Sequence, residues 1–291
     1  MKAMNPSPLR YPGGKYKISH LVECLLDKCK NASVYVEPFA GGAGVALDLL
    51  FRGVVEEIVI NDSDKAIASF WKFAVNESDA LIKKVLNTPV TLDEWKRQRE
   101  VYEQASSMSI DYAFASFFLN RTNHSGILSA GPIGGQEQAG WKLNVRYNKE
   151  KLAEKMRAIG ECKDRIHVYN RDVISFIKQQ LPRYIDRAFV YFDPPYYRRG
   201  KVLYKNFFTH KKHQELCELI KSIDGCPWIV SYDAAKEIKE IYDGVPSREF
   251  SLSYSLANNG SGREIMFFSE GLTLHDEDIA SVGMSGMFGG S

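Results

Sequence analysis

The segment VYVEPFAGGAG, residues 34–44, decides the fold of this chain. It predicts an apolar strand, a tight glycine turn and the start of a helix. Glycines in such a turn let the backbone approach a bound ligand where a side chain would clash. Asp62 ends the next apolar run, eighteen residues after Gly44, and a carboxylate there can accept hydrogen bonds from both hydroxyls of a ribose. Together these features indicate a nucleotide-binding sheet, although a plain tight turn and a helix-capping aspartate also fit them.

Further apolar runs alternate with helical patterns along the chain. The strand-like runs are 34–37, 57–61, 165–169, 189–193, 228–232, 249–253 and 264–268. Alternating strands and helices predict a doubly wound, Rossmann-like α/β fold with a mostly parallel seven-stranded sheet. The last two runs flank Asn258-Asn259-Gly260, which predicts a terminal antiparallel hairpin.

The alternation stops between residues 76 and 160. Helical patterns at 92–104 and 112–120 precede a loop rich in Gly, Ser and Asn at 122–141. These patterns predict a mostly helical insertion, with residues 1–75 and 161–270 forming the sheet domain. Residues 271–291 turn acidic and then rich in Gly, Met and Ser, which is typical of a flexible tail.

Composition excludes several classes of protein. The 291 residues carry a net charge of +2 and are 44% apolar, and we find no apolar run of the roughly 20 residues that span a bilayer. The N-terminus lacks a secretory signal, which predicts a cytoplasmic protein with its five cysteines reduced. We expect no metal site, because only His210 and His213 have a spacing that suggests paired ligands, and a solvated position on a helix accounts for that pair. A polyanion partner would need a local basic face, such as Arg10, Lys15 and Lys17 or the run 198–201.

A second motif, VYFDPPY at residues 190–196, gives the site its predicted chemistry. An apolar strand delivers Asp193 at its carboxyl end, where open α/β sheets bind ligands. Pro194 and Pro195 stiffen the turn, and the Pro194 carbonyl becomes an acceptor beside the Asp193 carboxylate. Tyr196 adds a flat aromatic surface. Two acceptors and a stacking ring suit the exocyclic amine of a planar base, whereas a rigid turn with a capping aspartate is the alternative.

Five ordered motifs resemble the DNA adenine methylase (Dam-like, D12 class) family of N6-adenine-specific DNA methyltransferases. The resemblance runs from about residue 8 to residue 270. It rests on the LRYPGGK segment 9–15, the 37–44 turn, Asn61-Asp62, the LNRTN segment 119–123 and the tetrapeptide Asp193-Pro194-Pro195-Tyr196.

The resemblance implies S-adenosylmethionine as methyl donor and a monomer acting on double-stranded DNA. Tyr11 and Lys15 would then close over the methionine end, Asp62 would hold the ribose hydroxyls, and Asp193 would face both donor and target base. The implied donor-binding set is Tyr11, Lys15, Glu37, Phe39, Gly41, Gly44, Asp62, Asp172, Val173 and Asp193. The implied catalytic set is Asp193, Pro194, Pro195 and Tyr196. The 76–160 insertion would recognise DNA through Arg121, Asn123, Lys142, Asn144 and Arg146.

Other activities fit the sequence less well. Cytosine-C5 methylation needs a nucleophilic cysteine, usually after a proline, and Cys226-Pro227 has the reverse order. Asp193 at the first motif position favours adenine over cytosine-N4. A nicotinamide-dependent oxidoreductase would need a Gly-x-Gly-x-x-Gly turn, whereas the turn of this chain at residues 41–44 is GGAG. A DNA-binding module without activity, or a methyltransferase acting on RNA or on protein glutamine, stays an alternative.

Overall fold

The computed structural model describes residues 5–11, 18–138, 140, 142–197, 208–252, 262–281 and 285–286. Its strands are β1 (Val34–Glu37), β2 (Glu57–Asn61), β3 (Ile166–Tyr169), β4 (Ala188–Phe192), β5 (Trp228–Asp233), β6 (Ser247–Leu252), β7 (Gly262–Phe268) and β8 (Ser285–Gly286). Its helices are α1 (Ser19–Leu26), α2 (Gly44–Phe51), α3 (Lys65–Asn76), α4 (Ser78–Asn87), α5 (Leu92–Gln104), α6 (Ile110–Thr122), α7 (Lys149–Glu161), α8 (Val173–Gln179), α9 (His210–Lys221), α10 (Lys236–Ile241) and α11 (Asp276–Ser281).

The strands form one sheet in the order β3-β2-β1-β4-β5-β7-β6-β8. The first five strands in that order are parallel, whereas β7 lies antiparallel to β5 and β6 antiparallel to β7. The predicted α/β fold with a terminal antiparallel hairpin is confirmed, with the two-residue β8 added at the edge. Chain order reverses between β1 and β4, and such a switch point opens a crevice at the carboxyl ends of the strands.

Helices cover both faces of the sheet because its strands are apolar on both sides. Tyr35 packs on one face with the side chains of α1, α2 and α3. Its neighbours Val34 and Val36 point to the other face, where they join α8, α9 and α10. This alternation is the two-residue period of a strand. It explains why the motif strand β1 is held rigidly between two cores.

The insertion comprises α4 to α7, close to the predicted 76–160 boundary. Its central helix α6 is buried almost throughout, and Phe117 stacks on Phe70 of α3 with ring centroids 5.4 Å apart. Side chains of all four insertion helices belong to the same apolar core as α1 and α2. The insertion therefore extends the core of the sheet domain.

The first part of the tail is packed, so the prediction of an unpacked tail from residue 271 was wrong there. Leu272 and Leu274 are buried in the core, and α11 follows them. Lys28 donates to the Thr273 carbonyl at 3.0 Å and pairs with Asp278 at 2.6 Å. The sequence did not predict this packing, because two alternating leucines are too short a pattern to stand out in a stretch of acidic composition.

No helix within the described residues combines the length and the apolar character that crossing a bilayer requires.

Candidate active site

The glycine turn after β1 is held open by an aromatic ring. Gly41 has a φ of +46°, and a Cβ on it would lie 2.6 Å from Cε1 of Tyr11. Glycine is therefore required at 41 both for its backbone conformation and for the close ring above it. Tyr11, predicted to close over the donor, lies directly on this turn. Lys15, predicted beside it, lies outside the described residues.

Glu37 supports the turn from beneath. Its side chain is buried and accepts a hydrogen bond from the backbone N–H of Ala46 at 3.1 Å. Helix α2 opens at Gly44, and the residue before it, Ala43 with a φ of +45°, supplies no side-chain cap. Glu37 thus satisfies a helix N–H that would otherwise be unpaired. Burial raises the pKa of the Glu37 carboxyl from 4.5 to about 8, with the nearby charge of Asp193 adding to the shift.

The Glu37 pKa predicts how stability changes with pH. A carboxyl whose folded pKa is raised contributes stability that is present below pH 4.5 and is lost as the pH rises through about 8. Glu37→Gln keeps the acceptor for Ala46 without the ionisation. The fall in melting temperature between pH 5 and pH 9 should be smaller for this variant than for the wild type, by about 2–4 °C for each kcal/mol of ionisation cost that is removed. Exposed Glu56→Gln is the control, and equal pH profiles for Glu37→Gln and wild type would contradict this role.

Asp62 joins the end of β2 to the glycine turn. Its two carboxylate oxygens accept from the backbone N–H of Gly41 at 2.9 Å and of Asp64 at 2.8 Å. Trp71 donates to the Gly41 carbonyl at 2.9 Å and completes the support. Asp62 is half-buried, and burial raises the pKa of its carboxyl to about 7. The predicted ribose-binding carboxylate therefore lies beside the turn it was predicted to serve.

Asn61 connects three strand ends, a role that the sequence did not suggest. Its amide donates to the carbonyls of Pro38 at 3.0 Å and Arg171 at 3.1 Å, and it accepts from the Arg171 N–H at 2.9 Å. The segments after β1 and β3 are thereby fixed to β2. Asn61 thus fixes the positions of the strand ends, where open α/β sheets bind ligands.

Asp172 and Val173, predicted beside the donor adenine, differ in their surroundings. Asp172 caps α8 through the Ile174 N–H at 3.0 Å and pairs with Lys212 at 2.9 Å. The Val173 side chain is buried in the core on the α8 face of the sheet. A side-chain contact from Val173 to a ligand therefore does not fit, since its position in the first turn of α8 points it inward.

An aromatic pair borders the same region. Phe39 follows β1 and meets Phe208 edge to face with ring centroids 5.9 Å apart. The Lys212 ammonium lies 4.6 Å from the centre of the Phe208 ring. Phe39 and Phe208 thus form an apolar contact beyond the carboxyl end of β1, with a cation close to one of the rings. Phe207, its sequence neighbour, lies outside the described residues.

The Asp193–Tyr196 turn is anchored to the neighbouring strands. Ser231 of β5 donates to Asp193 Oδ1 at 2.9 Å, and Tyr196 donates to Glu264 of β7 at 2.7 Å. The backbone N–H of Tyr197 donates to Asp233 of β5 at 3.0 Å. Pro194 is buried and Pro195 half-buried, as expected for a rigid turn. The Asp193 carboxylate and the Tyr196 ring, both predicted from the sequence, are therefore held by contacts outside the motif.

The glycine turn and the Asp193 turn meet at the switch point. Strands β1 and β4 pair in parallel with Val36 opposite Val190, so their following turns leave the sheet side by side. The charge of Asp193 reaches Glu37 beneath the glycine turn. Among the described residues, no group of three or more His, Cys, Asp or Glu side chains is arranged to hold a metal ion.

Asn120 ties the N-terminal segment to the insertion. Its amide oxygen accepts from the Arg10 N–H at 2.8 Å, and its amide nitrogen donates to the carbonyls of Arg10 at 2.7 Å and Gly126 at 2.9 Å. Gly126 has a φ of +77°, and a Cβ there would meet the Arg10 carbonyl at 2.4 Å. This contact fixes the residue that precedes Tyr11 and so positions the ring above Gly41.

Three of the predicted DNA-binding residues are presented together at the surface. Lys142, Asn144 and Arg146 are exposed on and beside the short 3-10 helix Leu143–Arg146. The buried side chains of Leu143 and Tyr147 hold this segment against the insertion. An exposed, firmly anchored segment with two cations is a suitable contact surface for DNA.

Arg121 and Asn123 have structural partners instead. Arg121 donates to the Arg146 carbonyl at 2.8 Å and so braces the exposed segment. Asn123 is fully buried, accepts from the Trp95 indole at 2.7 Å and donates to the Ile127 carbonyl at 2.9 Å. The prediction that Asn123 contacts DNA is corrected, because its amide is consumed within the fold.

Comparison with known proteins identifies relatives of this architecture. A model of the D12 class N6 adenine-specific DNA methyltransferase family matches residues 11–255. Type II methyltransferase M.MjaIII of Methanocaldococcus jannaschii is 26% identical over 223 residues, which cover 70% of this chain and 73% of the relative. Modification methylase StsI of Streptococcus sanguinis is 24% identical over 203 residues, 65% of this chain but 28% of that longer protein. Among solved structures, the rRNA methyltransferase AviRa from Streptomyces viridochromogenes matches with a TM-score of 0.43 and 14% identity, over 89% of this chain and 86% of that one.

Proposed function

The chain belongs to the D12 class N6 adenine-specific DNA methyltransferase family, and we propose that it methylates the N6 amine of an adenine swung out of double-stranded DNA, using S-adenosylmethionine. The observation that carries the proposal is the meeting of two turns at the switch point of the sheet. One turn combines glycines with Asp62, and the other carries Asp193 and Tyr196. A binding site and a reactive site for a planar amine thus share one crevice.

The residues around the glycine turn fit the donor. Asp62 is a half-buried carboxylate at a strand end, suited to two ribose hydroxyls. Asp172 and the Phe39–Phe208 pair border the crevice and suit a polar edge and a flat face of an adenine ring. Acidic side chains, among them Asp193, suit a donor with a positive sulfur. When bound, S-adenosylmethionine supplies a methyl group on a cationic sulfur, a strong leaving group.

Asp193 prepares the target amine for attack. The N6 lone pair of adenine is delocalised into the ring, which makes the nitrogen a poor nucleophile. The Asp193 carboxylate and the Pro194 carbonyl accept its two hydrogens and favour tetrahedral geometry, so that the lone pair points at the methyl group. Most of the acceleration comes from this positioning. No enzyme nucleophile takes part.

Tyr196 holds the flipped base. The N6 amine of a paired adenine lies inside the duplex, and swinging the base out costs a few kcal/mol. Stacking on an aromatic ring recovers about 1–3 kcal/mol of that cost. The hydrogen bond from Tyr196 to Glu264 supports this role, because it fixes the ring before DNA arrives.

The direct test is the chemical identity of the product. The purified chain is incubated with unmethylated plasmid DNA and a methyl-labelled donor, and the digested nucleosides are separated by mass spectrometry. We expect the label in N6-methyladenine, and sequencing of the product gives the target site. Label in a methylated cytosine, in RNA or in protein glutamine, with none in N6-methyladenine, contradicts the proposal.

Loss of Asp62 should selectively weaken the binding of S-adenosylmethionine. Asp62→Ala removes the ribose acceptor and also releases the Gly41 N–H, so we expect affinity for S-adenosylmethionine and for its demethylated product to fall about 10–100-fold. Calorimetry measures both, with NADH as a comparator expected not to bind. Exposed Asp79→Ala is the control. Tight NADH binding without donor binding would refute the assignment.

We propose that Lys142, Asn144 and Arg146 contact DNA, with Arg121 holding their segment in place. The exposure of the three side chains and the brace from Arg121 to the Arg146 carbonyl support this division. Lys142 and Arg146 suit phosphates, whereas Asn144 suits the edge of an adenine.

The salt dependence of DNA binding separates these contacts. Each phosphate contact that is lost lowers the slope of log affinity against log salt by about 0.9. Lys142→Ala and Arg146→Ala should each show that loss, whereas Asn144→Ala should leave the slope unchanged and blur sequence preference. Lys30→Ala is the charge-matched control, because Lys30 is exposed in the turn that precedes β1. Identical slopes for Lys142→Ala, Arg146→Ala and wild type place the DNA elsewhere.

A further inference from the structure

Ser231 is a buried hydroxyl in direct contact with the reactive carboxylate. It lies in β5 with no exposed surface, and its Oγ donates to Asp193 Oδ1 at 2.9 Å. The hydroxyl of buried Tyr191 lies 2.8 Å from Ser231 Oγ. A serine hydroxyl has one proton, so while Ser231 donates to Asp193 it accepts from Tyr191.

The pairing of the strands creates this contact. Strands β4 and β5 run parallel with Phe192 opposite Val230, so Asp193 and Ser231 are the next residues on each strand. The contact is therefore fixed by the sheet and not by a mobile loop. A hydrogen bond from a buried hydroxyl to a carboxylate is charge-assisted, which makes it strong and directional.

We propose that Ser231 is a positioning residue for methyl transfer, with Tyr191 behind it. By holding Oδ1, Ser231 fixes the plane of the Asp193 carboxylate and favours its ionised form, which is the form that accepts the hydrogen of the target amine. The inference rests on the proposed function and adds to it two residues from outside the Asp193–Tyr196 motif.

The surroundings of Asp193 make its carboxylate sensitive to the hydrogen bond from Ser231. Tyr35 and Glu37 of β1 and Tyr232 of β5 interact electrostatically with its carboxylate. Glu37 holds a proton at neutral pH, because burial raises its pKa to about 8. Asp193 is half-buried beside an acidic neighbour, where a hydrogen-bond donor favours the charged form of its carboxylate.

The test is the pH profile of the single-turnover rate, since product release can mask the chemical step. For Ser231→Ala we expect a fall of about 10–100-fold at neutral pH. The acidic limb of the profile should move up by about one pH unit, because the Asp193 carboxylate loses a hydrogen-bond donor. Affinity for S-adenosylmethionine should stay within about twofold of wild type. Tyr191→Phe should move the limb in the same direction.

Ser269→Ala is the matched control. Ser269 accepts from the Trp228 N–H at the other end of β5, so its loss disturbs the same strand away from Asp193. We expect a lower melting temperature and an unmoved pH limb. The inference is overturned if the limb stays in place in both Ser231→Ala and Tyr191→Phe, whatever the loss of stability; should Ser231→Ala not fold, Tyr191→Phe decides. A wild-type chain that forms no N6-methyladenine overturns the proposed function itself, and with it this inference.

Discussion

Asp193→Ala is expected to lower the single-turnover rate of N6-adenine methylation by about 10²–10³-fold, the loss typical of removing one preorganised hydrogen-bond partner of a reacting group. In the proposed reaction, the variant deprives the target amine of its charged acceptor. It also leaves the Ser231 hydroxyl without the carboxylate it now contacts at 2.9 Å. Affinity for S-adenosylmethionine should fall as well, since in the proposed site a negative charge beside the cationic sulfur is lost.

One measurement is the rate at which the preformed complex of enzyme and S-adenosylmethionine methylates a DNA duplex. The other is the affinity for S-adenosylmethionine, determined by calorimetry. Asp186→Ala is the control, because Asp186 is exposed in the turn before β4, at the opposite end of the strand that carries Asp193. A folded Asp193→Ala variant that keeps more than a few percent of wild-type turnover would remove Asp193 from the chemistry.

Hydrophobic pattern predicts the sheet well because its strands are buried on both faces. The runs 34–37 and 57–61 match β1 and β2 residue for residue. Both strands are β-branched or aromatic at nearly every position, and each ends in a polar residue or a turn. The strand–helix alternation predicts a mostly parallel sheet. The strand order, which places the switch point between β1 and β4, is a finding of the structure.

The support around the site could not be predicted in the same way. Ser231 and Glu264 act through hydrogen bonds to Asp193 and Tyr196, residues 38 and 68 positions away in the sequence. Those contacts depend on the register of β4, β5 and β7, which no local pattern specifies. A polar residue in a buried strand was the available signal, since such residues need a partner.

Asn123 illustrates the opposite error. Asn123 lies near Arg121 in a polar stretch, where an amide side chain suggests a group that reads DNA bases. The polar sequence around it is typical of an exposed contact surface. The decisive partner is Trp95 of α5, whose indole N–H reaches the amide from another helix. Burial of a side chain in an irregular segment depends on tertiary packing, so composition alone assigned the amide to the wrong surface.

Tyr196→Ala is expected to reduce turnover about 10–100-fold while DNA affinity stays near the wild-type value. In the proposed complex the ring contributes about 1–3 kcal/mol of stacking to the flipped base, whereas contacts to the duplex come from the insertion. Three measurements separate the steps: DNA affinity, the single-turnover rate, and the fluorescence of 2-aminopurine at the target position, which rises when the base leaves the stack. For Tyr196→Ala we expect normal affinity, a slow rate and a reduced fluorescence rise.

Tyr196→Phe and Glu264→Gln divide the role of the ring from that of its hydroxyl. Tyr196→Phe keeps the stacking surface and loses the 2.7 Å hydrogen bond to buried Glu264, so its rate should fall by less than about tenfold. Glu264→Gln keeps an acceptor at the same place and should lie between Tyr196→Phe and the wild type. In the double variant the two losses should not add, because both remove one contact. If Tyr196→Phe is as slow as Tyr196→Ala, the hydroxyl rather than the ring carries the effect, and stacking on the target adenine is refuted. If Tyr196→Ala loses DNA affinity and rate in equal measure, Tyr196 belongs to the duplex-binding surface instead of the base pocket.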